Sequence, residues 1–131
     1  MNKPRIAVTM GDPAGIGPEI CLDLLAYASK NEIYTPIIFG DTEVLKLCAQ
    51  KTGKTSDFKT INKENLGSCD TPAVLDFGFM DPGILQPGTA NGMTGKATFG
   101  YIQEAMDASL AKQVHAVTTC PANKEALKQA G

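Results

Sequence analysis

Thr9-Met10-Gly11-Asp12-Pro13-Ala14-Gly15-Ile16-Gly17-Pro18-Glu19 is the stretch that decides the fold. It lies between an apolar run, Ile6-Ala7-Val8, and a helical spacing of apolar positions, Ile20, Cys21, Leu24, Leu25 and Ala28. That order reads as a strand, a glycine-rich turn and a helix start. Gly11, Gly15 and Gly17 tolerate positive φ and let a ligand or another backbone come close. Pro18 suits a first helical turn, where its missing N–H would be unpaired anyway, and Glu19 suits the positive end of the helix dipole. Such a turn can present free N–H groups to an anion. The glycines do not follow G-x-G-x-x-G, and no Gly-Lys-Ser/Thr follows as in a Walker loop. Composition alone therefore equally allows a tight turn without a ligand. Asp12, beside glycine, is expected to bond its own loop backbone and position the turn.

Working outward, strand and helix patterns alternate. Residues 5–10 read as a buried strand and 18–29 as a helix. Thr35–Gly40 is a second apolar run, with Pro36 at its start, where a strand tolerates it. Asp41 or Thr42 can cap a helix over 42–52 that stops at Gly53. Residues 53–72 are polar and read as loop with a short strand at 57–61, followed by a better strand at 73–77. Residues 78–93 form a long turn-rich segment. The longest helix is expected over 94–112, with Thr94 as N-cap and Phe99, Ile102, Met106 and Leu110 as one core-facing stripe. Gly95-Lys96 at its start can contact an anion, with an exposed lysine as the plainer account. Residues 114–119 read as a strand, and a last helix begins near Ala122. Strands alternating with helices argue for an α/β fold with a mainly parallel sheet flanked by helices, in which ligands bind beyond the carboxyl ends of the strands.

The bulk numbers fit this. A chain of 131 residues suits one domain, and 43% hydrophobic with 20% charged residues is a globular composition. A net charge of −2 leaves no basic footprint for nucleic acid, and no apolar run is long enough for a membrane span. The four cysteines, 21, 48, 69 and 120, form no C-x-x-C pair and do not suit a zinc site. Cys21 and Cys48 fall on apolar helix faces as buried free thiols, and a reduced, cytoplasmic protein is the simplest reading.

Thr118-Thr119-Cys120-Pro121-Ala122-Asn123-Lys124-Glu125-Ala126-Leu127 is the second marked stretch. Lys124 can hold a phosphate or carboxylate as a point charge, Asn123 can cap a helix or bind a substrate oxygen, and Thr119 offers a hydroxyl at a strand end. Spacing alone favours the plainer account, a helix start with Asn123 as cap and Lys124 solvated.

G-D-P-A-G-I-G-P-E over Gly11–Glu19 resembles the opening of the 4-hydroxythreonine-4-phosphate dehydrogenase family, PdxA. It is more distantly similar to the G-D-G-I-G-P-E turn of isocitrate and isopropylmalate dehydrogenases. T-x-P-x-N-K-x-A-L from Thr119, followed by Ala130-Gly131, is similar to a second segment of the same family, and Gly88–Gly95 looks like its lead into a long helix. The resemblance implies an isocitrate/isopropylmalate dehydrogenase-like fold and an NAD-dependent oxidation of 4-phosphohydroxy-L-threonine, followed by decarboxylation, in pyridoxal phosphate biosynthesis. It also implies a divalent metal (Zn, Mg or Co) as Lewis acid and a homodimer with sites built from both subunits. By resemblance, Gly11, Asp12, Gly15, Gly17, Thr119, Asn123 and Lys124 border the substrate or cofactor cleft.

The same resemblance exposes a mismatch. The family holds its metal with three histidines, and this chain has one, His115, expected to be structural or exposed. Family chains are longer, and this one stops just before the family's G-H-T-E segment. The chain therefore reads as the N-terminal part of an α/β domain, lacking an inserted second domain and a C-terminal completion. Alone it is expected to expose a sheet edge and a helix face and to be inactive, with no catalytic residue or metal ligand of its own. The 4-phosphates of threonate and erythronate are alternative substrates. A phosphate acyltransferase on a related fold and a stand-alone module binding a phosphorylated ligand are alternative functions.

Overall fold

The computed structural model describes residues 3–30 and 33–131. Five strands, β1 (Arg5–Thr9), β2 (Thr35–Gly40), β3 (Lys59–Ile61), β4 (Ala73–Asp76) and β5 (Ala116–Thr119), form one sheet in the order β3-β4-β2-β1-β5. Every pairing is parallel. The helices are α1 (Gly17–Ala28), α2 (Thr42–Thr52), α3 (Gly92–Leu110) and α4 (Lys124–Ala130), with a 3-10 segment at Lys63–Ser68 between β3 and β4. The α/β reading and the parallel sheet hold.

Parallel strands covered on both faces are apolar throughout, and β2, Thr-Pro-Ile-Ile-Phe-Gly, is buried at every position. Pro36 is tolerated because its neighbour β4 starts pairing only at Ile37. Ala7, Val8, Ile37, Ile38, Val74 and Leu75 form the sheet's share of the core, packed by Cys21, Leu22 and Leu25 of α1 and Val44 and Leu45 of α2. β5 differs. It pairs only with β1, three of its four residues are exposed, and it is an uncovered edge.

Local expectations shifted in three places. The α3 helix starts at Gly92 because Asn91, not Thr94, is its N-cap. Asn91 Oδ1 accepts the N–H groups of Met93 and Thr94, and Thr94 Oγ1 accepts the Asn91 N–H in return. Asp41 stands at the N-cap position of α2 with no side-chain bond to the helix. Its carboxylate accepts Phe79 N–H at 3.0 Å and Met80 N–H at 2.6 Å, and Asp76 of β4 accepts Thr42 N–H instead. Two carboxylates have exchanged local work for long-range work.

The third shift is the largest. The expected core stripe of α3 points outward: Phe99 is 58% exposed, Met106 49% and Leu110 79%, with Ile102 half-buried. The buried face is Gly95, Ala97, Thr98, Tyr101, Ala105 and Ala108. Close packing explains this. A Cβ on Gly95 would lie 2.0 Å from the Ala126 carbonyl oxygen of α4, so no side chain fits there, and Ala97, Ala105 and Ala108 are fully packed beside Tyr101. Ala105→Leu is accordingly expected to destabilise the fold by about 1–3 kcal/mol through overpacking. Leu110→Gln is expected to change stability by no more than about 0.5 kcal/mol. Urea denaturation of both variants reads the difference directly, and equal effects would reverse the assignment of faces.

Candidate functional site

The β1 strand ends at Thr9, and the chain leaves the sheet held on both sides: Met10 N–H donates to Phe39 O of β2, and Cys120 N–H donates to Thr9 O. Gly11 then takes φ +77, and a Cβ there would lie 2.4 Å from the Pro121 carbonyl oxygen. Asp12 N–H donates to that same carbonyl at 3.2 Å. The turn after β1 and the segment after β5 are thus brought together at the carboxyl edge of the sheet, where α/β folds bind ligands. A Cβ on Gly17 would meet Met10 O at 1.8 Å. Gly11 and Gly17 therefore serve protein packing, whereas Gly15 is exposed and faces open space on its outer side.

Asp12 does more than its own turn requires. Only 2% exposed, it accepts Ala14 N–H on Oδ1 at 2.8 Å, the expected local bond. Its Oδ2 accepts the Thr94 hydroxyl at 2.9 Å, which ties the turn to the start of α3. Gly88 N–H donates to Ala14 O at 2.7 Å and adds the 78–93 segment to the same assembly. Sequence reasoning missed Thr94 as a partner of the turn, and Asn91 as the cap that holds Thr94 in place. The Asn-Gly followed by Thr at 91–94 carried the signal, as a helix-capping pattern.

Of the second motif, Asn123 is the N-cap of α4, its Oδ1 accepting Ala126 N–H at 2.9 Å. Lys124 opens that helix and is exposed, and Thr119 is exposed at the end of β5. A cleft of about 310 Å³ lies between the two motifs, walled by Asp12, Gly15, Ile16, Gly88, Pro121 and Asn123. Asp12, Gly15 and Asn123 thus share one cleft. Thr119 and Lys124 lie beside it in sequence without lining it, and Gly11 and Gly17 form its foundation.

Along the same sheet edge, Tyr101 is fully buried against the rings of Phe77 and Phe79. Its hydroxyl faces Asp41 without closing a hydrogen bond of good geometry. Burial first, then the Asp41 carboxylate, drives this phenol far above its ordinary range, with Asp76 and Asp12 adding to the effect. The carboxyl edge is therefore an acidic one, and Tyr101 stays protonated there.

A metal does not fit the residues present. Among the described residues no three His, Cys, Asp or Glu side chains gather as a ligand set. The lone histidine, His115, accepts Arg5 N–H on Nδ1 at 2.8 Å, at the amino end of the sheet and away from the cleft. No helix among the described residues is long and apolar enough to cross a membrane.

A parallel sheet whose glycine turn and neighbouring strand end frame a cleft defines an α/β protein of the open-sheet kind. Comparison narrows that class. A family model described as pyridoxal phosphate biosynthetic protein PdxA matches residues 32–131, and the chain belongs to that family. Among curated relatives, the Symbiobacterium thermophilum protein named "Putative D-threonate 4-phosphate dehydrogenase" is 38% identical over 98% of this chain and 39% of its own length. The 4-hydroxythreonine-4-phosphate dehydrogenase of Burkholderia phymatum superposes with a TM-score of 0.86 at 31% identity, over 100% of this chain and 40% of that one. The Klebsiella pneumoniae 4-hydroxythreonine-4-phosphate dehydrogenase gives 0.81 at 30% identity, over 98% and 40%. The family is one of dehydrogenases by these names, and the chain spans about two fifths of the length of the relatives it matches.

Proposed function

We propose that this chain forms the N-terminal portion of an NAD-dependent dehydrogenase acting on a 4-phosphorylated hydroxy acid, working as a cytoplasmic homodimer. The observation that carries the reading is the cleft at the carboxyl edge of the sheet, where Asp12, Gly15 and Asn123 meet through the Asp12 N–H to Pro121 bond. Family membership supports the reaction class. The two solved relatives described above are named for 4-hydroxythreonine 4-phosphate and the curated one for D-threonate 4-phosphate, so both are candidate substrates. Bound nicotinamide would accept the hydride. The metal expected from the family has no ligand set among the described residues.

What this portion contributes is shape and charge. Asp12 is the positioning residue: it holds the turn against α3. Asn123 fixes the wall opposite Gly15. Lys124, free of any intramolecular ion pair among those described, supplies the positive charge for a phosphate or carboxylate. With so little of the chemistry present, residues 1–131 alone are proposed to be inactive.

The test is NADH formation by the protein as its source makes it, supplied with 4-phosphohydroxy-L-threonine or D-threonate 4-phosphate, with and without divalent metal. Turnover of either substrate supports the reading, and binding of phosphorylated ligands with no NAD reduction under any condition would leave a binding module instead. Lys124→Ala is expected to raise KM about tenfold with little change in kcat, equivalent to about 1.4 kcal/mol of lost ground-state binding. An unchanged KM would return Lys124 to a merely solvated role.

A further inference from the structure

Two cysteine sulfurs meet where the chain's marked motifs come together, one just after the first motif and one inside the second. Cys21 lies on the second turn of α1, and Cys120 follows the last residue of β5. Their Sγ atoms are 3.7 Å apart across 99 residues of sequence. Cys21 is 0% exposed and Cys120 6% exposed, the latter beside Pro121, which walls the cleft. Cys48 and Cys69 make no such contact: Cys69 donates to the Thr71 carbonyl, and Cys48 is half-buried on α2. At 3.7 Å the sulfurs of Cys21 and Cys120 are already in van der Waals contact, against about 2.05 Å in a disulfide. Most buried cysteines have aliphatic neighbours and nothing to react with. These two face each other.

We propose that Cys21 and Cys120 are a redox pair that closes into an intramolecular disulfide when the protein meets hydrogen peroxide. Cys120 is the attacking sulfur. Its contact with Cys21 holds the Cys120 thiol below the ordinary range, while the same contact and burial push the more deeply buried Cys21 thiol well above it. The Cys120 thiolate attacks one peroxide oxygen: an S–O bond forms, the O–O bond breaks, and hydroxide leaves, taking up the thiol proton as water. Cys21 sulfur then attacks Cys120 sulfur: the S–S bond forms, the S–O bond breaks, and the departing hydroxyl takes the Cys21 proton as a second water. Two thiols lose two electrons and one peroxide gains them. The product pins the start of α1 to the segment carrying Pro121 and Asn123, so oxidation clamps the two sides of the cleft at a chosen spacing.

The experiment treats the native protein, as its source makes it, with hydrogen peroxide, blocks remaining thiols under denaturing conditions, and maps tryptic peptides. The expected result is a crosslink between the peptides covering residues 6–30 and 113–124, with this stretch falling from four free thiols to two. Dithiothreitol restores all four. Cys48→Ser leaves the crosslink intact. Cys21→Ala abolishes it and leaves Cys120 as a sulfenic acid that dimedone captures, a readout available in the wild type as well by brief exposure. The proposal is overturned if native wild-type protein keeps all four thiols, if Cys48 or Cys69 is the partner found, or if the 6–30 to 113–124 crosslink forms only after denaturation.

Discussion

Gly17→Ala is expected to cost about 3 kcal/mol or more of stability, at or beyond the upper end of what overpacking a close-packed interior costs. Conformational freedom is not the reason, for Gly17 is not among the positive-φ glycines. The reason is space. The added Cβ would lie 1.8 Å from Met10 O, 3.0 Å from Met10 C and 3.2 Å from Cys120 Cβ. A flexible side chain could swing away, but the Met10 carbonyl cannot, because Met10 N–H is bonded to Phe39 O of the central strand. The first turn of α1 would have to lift off the sheet, taking Cys21 and Leu22 out of the core. Gly15→Ala supplies the control two residues away. Its new Cβ would find nothing nearer than Asp12 O at 3.4 Å, ordinary contact, so stability should change by no more than about 0.5 kcal/mol. Chemical denaturation of the two variants side by side measures the contrast. Similar midpoints for both would mean that the turn does not pack as described, and would remove the basis for separating Gly17 from the cleft-lining Gly15.

Asp12→Ala is expected to cost about 2–4 kcal/mol, since hydrogen bonds to a charged group contribute about 1.5–3 kcal/mol each and a lost acceptor leaves buried donors unpaired. Two donors are at stake, the Ala14 N–H and the Thr94 hydroxyl. Asp12→Asn should recover much of the loss. Its Oδ1 still accepts from Ala14, and the Thr94 hydroxyl can turn to Asn91 O, 3.0 Å away, which it already reaches. A ranking of wild type above Asn above Ala, in both denaturation midpoint and protection of the α3 amino end from amide exchange, is the outcome that fits a positioning role. Equal stability of all three would mean that Asp12 does not tie the turn to α3. An Asn variant with full stability but lost turnover in the complete protein would move Asp12 from positioning to direct contact with substrate.

These two outcomes bear on how much of the site could be read beforehand. The Gly11–Glu19 turn and the Thr119–Leu127 segment were both legible as features at the ends of strands, and the rule that parallel sheets bind ligands at their carboxyl edge put them side by side. What the sequence left open was each residue's task. Gly11, Gly15 and Gly17 look alike in one dimension, yet two of them pack against Pro121, Cys120 and Met10 while the third borders the cleft. Asn123 was read both as cap and as ligand contact, and the short turn of chain around it supports the cap. Asp12 was expected to serve its own loop, and it does, but half of its carboxylate serves Thr94, 82 residues away.

The sequence by itself determined the alternation of strand and helix, the parallel sheet and the apolar identity of its central strands. These depend on periodicities of two and of about 3.6 residues and on the local chemistry of Gly, Pro and Asn, which act within a few positions. Tertiary structure alone decided which face of α3 is buried. The large residues Phe99, Met106 and Leu110 make the more obvious stripe, but the buried face carries Gly95, Ala97, Ala105 and Ala108 beside Tyr101, and at Gly95 the backbone of α4 leaves no room for a Cβ. It also decided that Asp41 and Asp76 exchange partners and that Cys21 meets Cys120. Contacts between residues tens of positions apart depend on the close-packed shape of the assembled layers, and shape of that kind has no period along the chain.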